Sequence, residues 1–410
     1  MEAGTGILAM GTTKAGHAGE RPSDTLARKM RREDAERLSQ PYRPDDTTEP
    51  DDRLGVALGL RLESARCLRD AVLGDLDDKN YGVGWWAPHP GTSRRILISD
   101  HLLQCVVSIG VNLVEAKLHL LELADWQERQ QRFLARSVKL DGHGRPVLAH
   151  PPRESPSDDL MDVMADLHIA GFFRAVGSTM DCLGGALIGV LGLKTDLLRS
   201  DMDKARKALK QISAPTTPGE QIQANARNEL DQLVVASGPR GWLDWATDYR
   251  NMLVHRGRRL HLGKLELEAL VYGPDGRKVP RSTPVRLLAQ DPGLSDIEAM
   301  TFLSKVLPVL GEDSRVTLDG LLGSANQFAE AVSALLLRAW NARRATPSLI
   351  PQPREQWAKV PASSSRGFQG YAPGTQKLDA TMLQASPSLL RRIVAASLHD
   401  PAHKNWAGFD

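Results

Sequence analysis

Residues 182–193, CLGGALIGVLGL, carry no charge and hold four glycines among aliphatic side chains. Such a run has no polar face to turn to water, so a fold must enclose it on every side. It closes a longer segment, residues 159–193, whose first third is charged and whose pattern reads as a helix. The chain has to supply enough neighbouring helices to surround that end, which means a bundle. The run is also too short for the roughly 18–20 apolar residues that cross a bilayer, and no other run reaches that length.

The neighbours are legible. Leu54, Leu58, Leu62, Ala65, Leu68 and Val72 recur at three and four, predicting an amphipathic helix over residues 53–76. A second helix is expected over 99–137, apolar at first (Ile109, Val111, Leu113) and strongly charged at its end. Thr216-Thr217-Pro218-Gly219-Glu220 is a helix start with a usable cap, leading into QIQANARNELDQLVVA. Gly238-Pro239-Arg240-Gly241 breaks the chain before a helix over 242–256, and the last strong helix is expected over 317–344. Pro274-Asp275-Gly276 separates two alternating stretches, which predicts a β-hairpin near residues 260–288. A shorter hairpin is suggested at LDGHGRPVL within the loop 139–158. The fold class expected is mostly α, a helical bundle with extra N-terminal helices and one β-hairpin insertion.

These elements divide the chain into a tail (1–52), an N-terminal helical region (53–157), a bundle (158–345) and a Pro/Ser/Gly-rich tail (346–410). The first tail ends in the acidic, proline-rich PYRPDDTTEPDD, which suits a linker. From Arg338 onward there are ten Lys/Arg against four Asp/Glu, so the second tail is locally basic.

Charge over the whole chain is even: 52 Lys and Arg against 50 Asp and Glu. That balance excludes binding of polyanions by bulk charge and leaves local basic patches as the electrostatic route. Cys67, Cys105 and Cys182 are odd in number and far apart, fitting neither a disulfide framework nor a zinc site. The first residues lack a basic start before an apolar core, so no secretory signal is read. A cytoplasmic protein without a membrane segment is the expectation.

One segment carries chemistry: residues 242–257, WLDWATDYRNMLVHRG. On a helix each residue advances about 100°, so Trp242, Trp245, Ala246, Tyr249, Met252 and Leu253 gather on one side and face the core. Thr247, Arg250, Asn251, Val254 and His255 form a second face, polar except for Val254. An apolar valine between an arginine and a histidine suggests a partner that covers it. His255 stands in the last turn, before Gly257, where the negative end of the helix dipole favours imidazolium. Histidine there suits proton transfer near neutral pH.

Arg250-Asn251-Met252-Leu253-Val254-His255 resembles the Arg-(Asn/Asp/His)-x(3)-His signature of HEPN domains, helical nuclease and nucleotide-binding domains. Tyr249 before the arginine and the position at a helix end agree with it. The resemblance covers about residues 158–344, with the hairpin as an insertion. It implies that the helix over 171–193 bears a polar residue facing the motif, Asp181 or, as second choice, Arg174. It further implies a metal-independent, cofactor-free endoribonuclease acting as a homodimer on RNA, with a toxin or antiphage-defence role and room for a regulatory protein partner. Arg250 would hold the scissile phosphate, His255 would move protons, and Asn251 would position one or the other. Where some family members carry a modifiable tyrosine two residues after the histidine, this chain has Gly257.

Other readings stand beside this one. Arg250 and His255 could be a capping and salt-bridge pair, with Asp244 and Asp248 on the same stripe. A non-catalytic HEPN scaffold that dimerises or binds a nucleotide or protein uses the same face. Asp181 could be a satisfied core carboxylate. Trp85 and Trp86 could stack bases or anchor a loop. Arg256, Arg258 and Arg259 could touch RNA phosphates or be solvated. Cys182 reads as an ordinary buried thiol. His143 and His150 are too loosely spaced for a metal site. No serine nucleophile elbow, phosphate-binding loop, dinucleotide fingerprint or His-Glu-x-x-His is present.

Overall fold

The computed structural model describes residues 54–55, 57–75, 92–140, 146–148, 156–255, 265–272, 278–282, 287–289, 310–349 and 371; within these, the side chains of 92–95, 131–140, 146–148, 156–162, 254–255, 265–272 and 278–282 lie outside the description. The architecture is mostly helical. Seven helices are described: α1 (Glu63–Asp75), α2 (Thr92–Ser137), α3 (Pro156–Leu191), α4 (Met202–Lys210), α5 (Pro218–Ser237), α6 (Trp242–His255) and α7 (Ser314–Ala345). Two short antiparallel pairs interrupt them: β1 (Val138–Leu140) with β2 (Pro146–Leu148), and β3 (Leu265–Tyr272) with β4 (Lys278–Ser282).

Helices α2 and α3 make the most extensive contact and run antiparallel, since Leu102 meets Gly189, Cys105 meets Gly185, Arg174 meets Glu115 and His168 meets His119. The apolar end of α3 is enclosed as the sequence demands, with Leu183, Ala186, Leu187, Ile188, Val190 and Leu191 fully buried. Its glycines allow the neighbours to come close. A Cβ on Gly185 would lie 2.6 Å from Cys105 Sγ, and one on Gly189 would lie 2.7 Å from Leu102 Cδ1. Helix α7 packs against α1, α2, α3 and α5 with Leu318, Leu321, Leu322, Ala325, Phe328, Val332, Leu336 and Trp340 on its inner stripe.

Local signals fix most boundaries. Thr217 caps α5 through the Glu220 N–H, while the Glu220 carboxylate accepts from Thr216 N and Oγ1 at 2.8 and 2.7 Å, a reciprocal capping box. Helix α3 stops at Leu191, two residues short of the expected end. Gly192 takes a left-handed conformation (φ 62°), and the Leu193 N–H turns back to the Ile188 carbonyl at 3.0 Å. Buried Gln223 then donates to the Leu191 carbonyl at 2.7 Å.

Two expectations are corrected. The helix expected over 53–76 is shorter, Glu63–Asp75, because Gly59 adopts φ 74° and breaks the pattern after one turn. Leu60 and Leu62 are nevertheless buried. The apolar stretch richest in membrane-like character is also not residues 182–193. Among the described residues, Ile96–Gln130 of α2 holds a window long and apolar enough to cross a membrane, by length and composition only, and its scattered polar residues hide it from a search for unbroken runs. A little over half (56%) of its most apolar window is buried inside the bundle, as in the core helix of a bundle. The expected tail before residue 53, the Trp85-Trp86 loop, and His143 and His150 lie outside the described residues, as does most of the tail after 345.

The entry to α1 is held by α7. Buried Asn326 accepts from the Arg61 N–H at 2.9 Å and donates to the Arg61 carbonyl at 2.7 Å, and Glu330 accepts from the Ser64 N–H. Asn326→Ala removes both bonds to Arg61 and leaves part-buried backbone groups without partners. The expected loss is about 2 kcal/mol in urea denaturation, with secondary structure unchanged.

Candidate functional site

Phe173, Gly177 and Asp181 stand four residues apart on α3 and form one ridge. That ridge meets α6. The Phe173 ring stacks on Tyr249 with centroids 4.5 Å apart, and Trp245 closes the cluster at 5.6 Å from Phe173 and 5.3 Å from Tyr249. Trp245 Nε1 also donates to the Leu288 carbonyl at 3.1 Å. The inner side of α6 is filled by Trp242, Leu243, Ala246, Tyr249, Met252 and Leu253, all buried.

With Tyr249 locked, Arg250 is aimed along the same ridge. Its side chain crosses Gly177, where a Cβ would sit 2.5 Å from Arg250 Nε. Arg250 Nη2 then donates to Asp181 Oδ2 at 3.1 Å, with side chains 25% and 37% exposed. Arg250 Nε is buried and has no hydrogen-bond partner. The structure thus brings together two of the four residues singled out from the sequence. Asn251 joins them on the wall of the same crevice, half-buried. His255 is the last residue of α6, and its side chain, like that of Val254, lies outside the described residues, as do Arg256, Arg258 and Arg259. Arg174, the second choice for facing the motif, is not part of the site. It pairs at 2.9 Å with Glu115 on α2 because it projects to the α2 side of α3.

The crevice has a volume of about 370 Å³ and three walls, from α3, α4 and α6. Its floor is apolar (Val176, Met180, Leu243) and its rim is strongly acidic. Asp181, Asp201, Asp203, Asp244 and Asp248 line it against the guanidinium groups of Arg206 and Arg250. Most of the carboxylates have cations of their own: Asp201 pairs with Lys204 at 2.7 Å, Asp203 with Lys207 at 2.5 Å and Asp244 with Arg206 at 3.5 Å. Among the described residues no group of three or more His, Cys, Asp or Glu is placed to hold a metal ion.

The α4 wall is what the sequence reading missed. Helix α4 is short and five of its nine residues are charged, yet the signal is there: Asp201 caps it, and Met202, Ala205 and Leu209 recur at three and four.

Electrostatics separate the carboxylates. Burial pushes the Asp181 carboxyl above its ordinary value, Arg250 pulls it back, and Asp201 adds to the rise; the net direction is up. Burial acts upward on Asp201 too, but the bonds from Lys204 outweigh it and hold Asp201 low. The ionised Asp181 therefore costs the fold stability even with an arginine beside it, as is common for pairs taken out of water. Cys182, next in sequence, is half-buried, and burial first, then Asp181, pushes its thiol up to about 11. Buried Cys105 is pushed up to about 12, so neither thiol is a nucleophile at neutral pH.

Two outcomes follow for stability. Gly177→Ala forces Arg250 off its path, with an expected loss of about 1–3 kcal/mol in chemical denaturation. Asp181 has its pKa raised on folding, so its contribution is most favourable below the ordinary value of 3.8 and is lost as pH rises through the raised one. Asp181→Asn should therefore gain stability relative to the parent as pH is raised from that value toward neutrality, read from paired urea midpoints.

Compared with models of protein families, with curated proteins and with solved structures, the chain matches none.

Proposed function

We propose that this chain is a HEPN-like helical protein that cleaves RNA without a metal ion, working as a cytoplasmic homodimer. The observation that carries the reading is the Arg250–Asp181 pair across the α3–α6 crossing, beside Asn251, on the helix that ends at His255. An arginine fixed in this way has few rotamers left to lose when it meets a phosphate, so it suits transition-state charge better than a free surface arginine. Asp181 is in this account a positioning residue for Arg250.

The reaction is a transesterification. The ribose 2′-oxygen attacks phosphorus as histidine takes its proton. The bond from phosphorus to the 5′-oxygen breaks, and that oxygen leaves with a proton given by an imidazolium. The products are a 2′,3′-cyclic phosphate and a 5′-hydroxyl. Two copies of His255, one from each subunit, provide base and acid, and Arg250 offsets the charge on the pentavalent phosphorus. The strand pair β3–β4 is, in this reading, an insert between α6 and α7 of the HEPN-like bundle. A toxin or antiphage-defence role is the biology this chemistry suits.

A second reading is favoured by the crevice itself. Five aspartates against two arginines make a poor surface for a polyanion, and Arg250 already has a carboxylate. A HEPN-like scaffold that uses this face to dimerise or to bind a nucleotide or a protein answers to the same geometry.

The test is incubation of the dimer with total RNA in EDTA, beside Arg250→Ala and His255→Ala of matched fold and oligomeric state. The ribonuclease reading expects cleavage by the parent and losses of about 100-fold or more in each variant. Intact RNA in all three supports the scaffold, and equal cleavage in all three removes both residues from the chemistry.

A further inference from the structure

Outside the crevice, the seam between α2 and α3 presents an apolar outer surface. His119 and His168 meet across the seam at 3.2 Å and set its register. Leu118 and Leu167 each stand one residue before them. In antiparallel helices the same backward step of about 100° turns both side chains to the same outer side. They are 44% and 54% exposed. Val163, one turn earlier on α3, is 53% exposed, and Val111, two turns earlier on α2, is 37% exposed. Single exposed apolar residues are ordinary, but four at this spacing on two packed helices form a patch.

The charges in the patch say what fits it. Glu115 of α2 and Arg174 of α3 pair across the seam at 2.9 Å, with side chains 40% and 62% exposed, so each keeps hydrogen-bonding capacity on its outer side. The pair stands at one level on neighbouring helices. A two-fold axis parallel to those helices lays α2 of one copy over α3 of another without changing the level. Glu115 then meets Arg174 of the second copy, Arg174 meets Glu115 of the second copy, and Leu118 and Leu167 are carried into the same interface. A surface that is its own complement in this way suits an isologous contact. The stripe of α3 from Val163 to Asp181 spans about 27 Å on a helix pair about 20 Å wide, the scale of the roughly 800 Å² per partner that a stable dimer buries. Asp181 lies two turns beyond Arg174 on that stripe, so the axis sets both candidate sites at one end of the dimer.

We infer that the outer face of α2 and α3, around Glu115, Leu118, Leu167 and Arg174, is where two copies of this chain dimerise, on a two-fold axis parallel to the helices. The inference rests on the homodimer of the functional reading and not on its chemistry.

The experiment is analytical ultracentrifugation of the full chain beside L167D, E115R and R174E, each of parental circular dichroism and melting. The parent is expected to be a dimer, and L167D to weaken it about 100-fold or more. E115R and R174E each set like charges against each other across the axis, so each alone is expected to be mostly monomeric. Mixed one to one they are expected to regain a dimer, because the two arginines of one copy meet the two glutamates of the other. A merely destabilised fold gives no such rescue. A monomeric parent overturns the inference, as does a dimer unmoved by L167D or a mixture that stays monomeric. A dimer that responds to these variants yet leaves RNA intact counts against the ribonuclease reading alone, and RNA cleavage by a dimer that ignores them counts against this interface alone.

Discussion

The stack of Phe173 on Tyr249 is the contact on which the rest of the site depends. It fixes how α6 lies across α3, and it does so one residue before Arg250 and two turns before Asp181. Aromatic rings this close leave little freedom to slide, because an offset stack has a narrow optimum. Gly177, midway along the same ridge, then turns the crossing into a channel for one side chain. An arginine in that channel must run toward Asp181. Their ion pair is thus a consequence of packing, and its modest exposure keeps it from being a strong source of stability.

The aromatic crossing and the acidic crevice pull the functional account in different directions. A half-buried carboxylate with a raised pKa is the kind of feature folds retain where a site needs it. The remaining aspartates form a rim in which Lys204, Lys207 and Arg206 offset three of the four, so a single copy of the chain offers a phosphate no net positive charge there. The proposed homodimer would resolve the tension, because a second copy would add its own Arg250 to the site. The even overall charge fits such a division, with attraction confined to a local surface.

Much of this is legible in the sequence itself. The inner face of α6 followed from periodicity, the capping box of α5 from Thr216 to Glu220, and the enclosure of residues 182–193 from their lack of any polar face. The choice of Asp181 as the residue opposite Arg250 came from the resemblance, and the two side chains do meet. What was not legible is tertiary. Helix α4 is nine residues long and mostly charged, so its apolar stripe of three positions was too brief to stand out from a loop. Gly59 cut α1 short because a left-handed turn there lets the Arg61 backbone reach Asn326, a partner 265 residues away in sequence. The pairing of Arg174 with Glu115 likewise depends on which side of α3 meets α2, which periodicity alone does not specify.

The central claim is that the motif on α6 activates a ribose hydroxyl for attack on its own phosphate. Its most direct measurement is the chemistry of the cut ends on a defined RNA oligonucleotide, set against the same oligonucleotide with a single 2′-deoxy sugar at the cleavage position. The account predicts a 2′,3′-cyclic phosphate with a 5′-hydroxyl on the all-ribose strand and no cleavage at the 2′-deoxy position. Cleavage of both strands, leaving a 5′-phosphate, would contradict it.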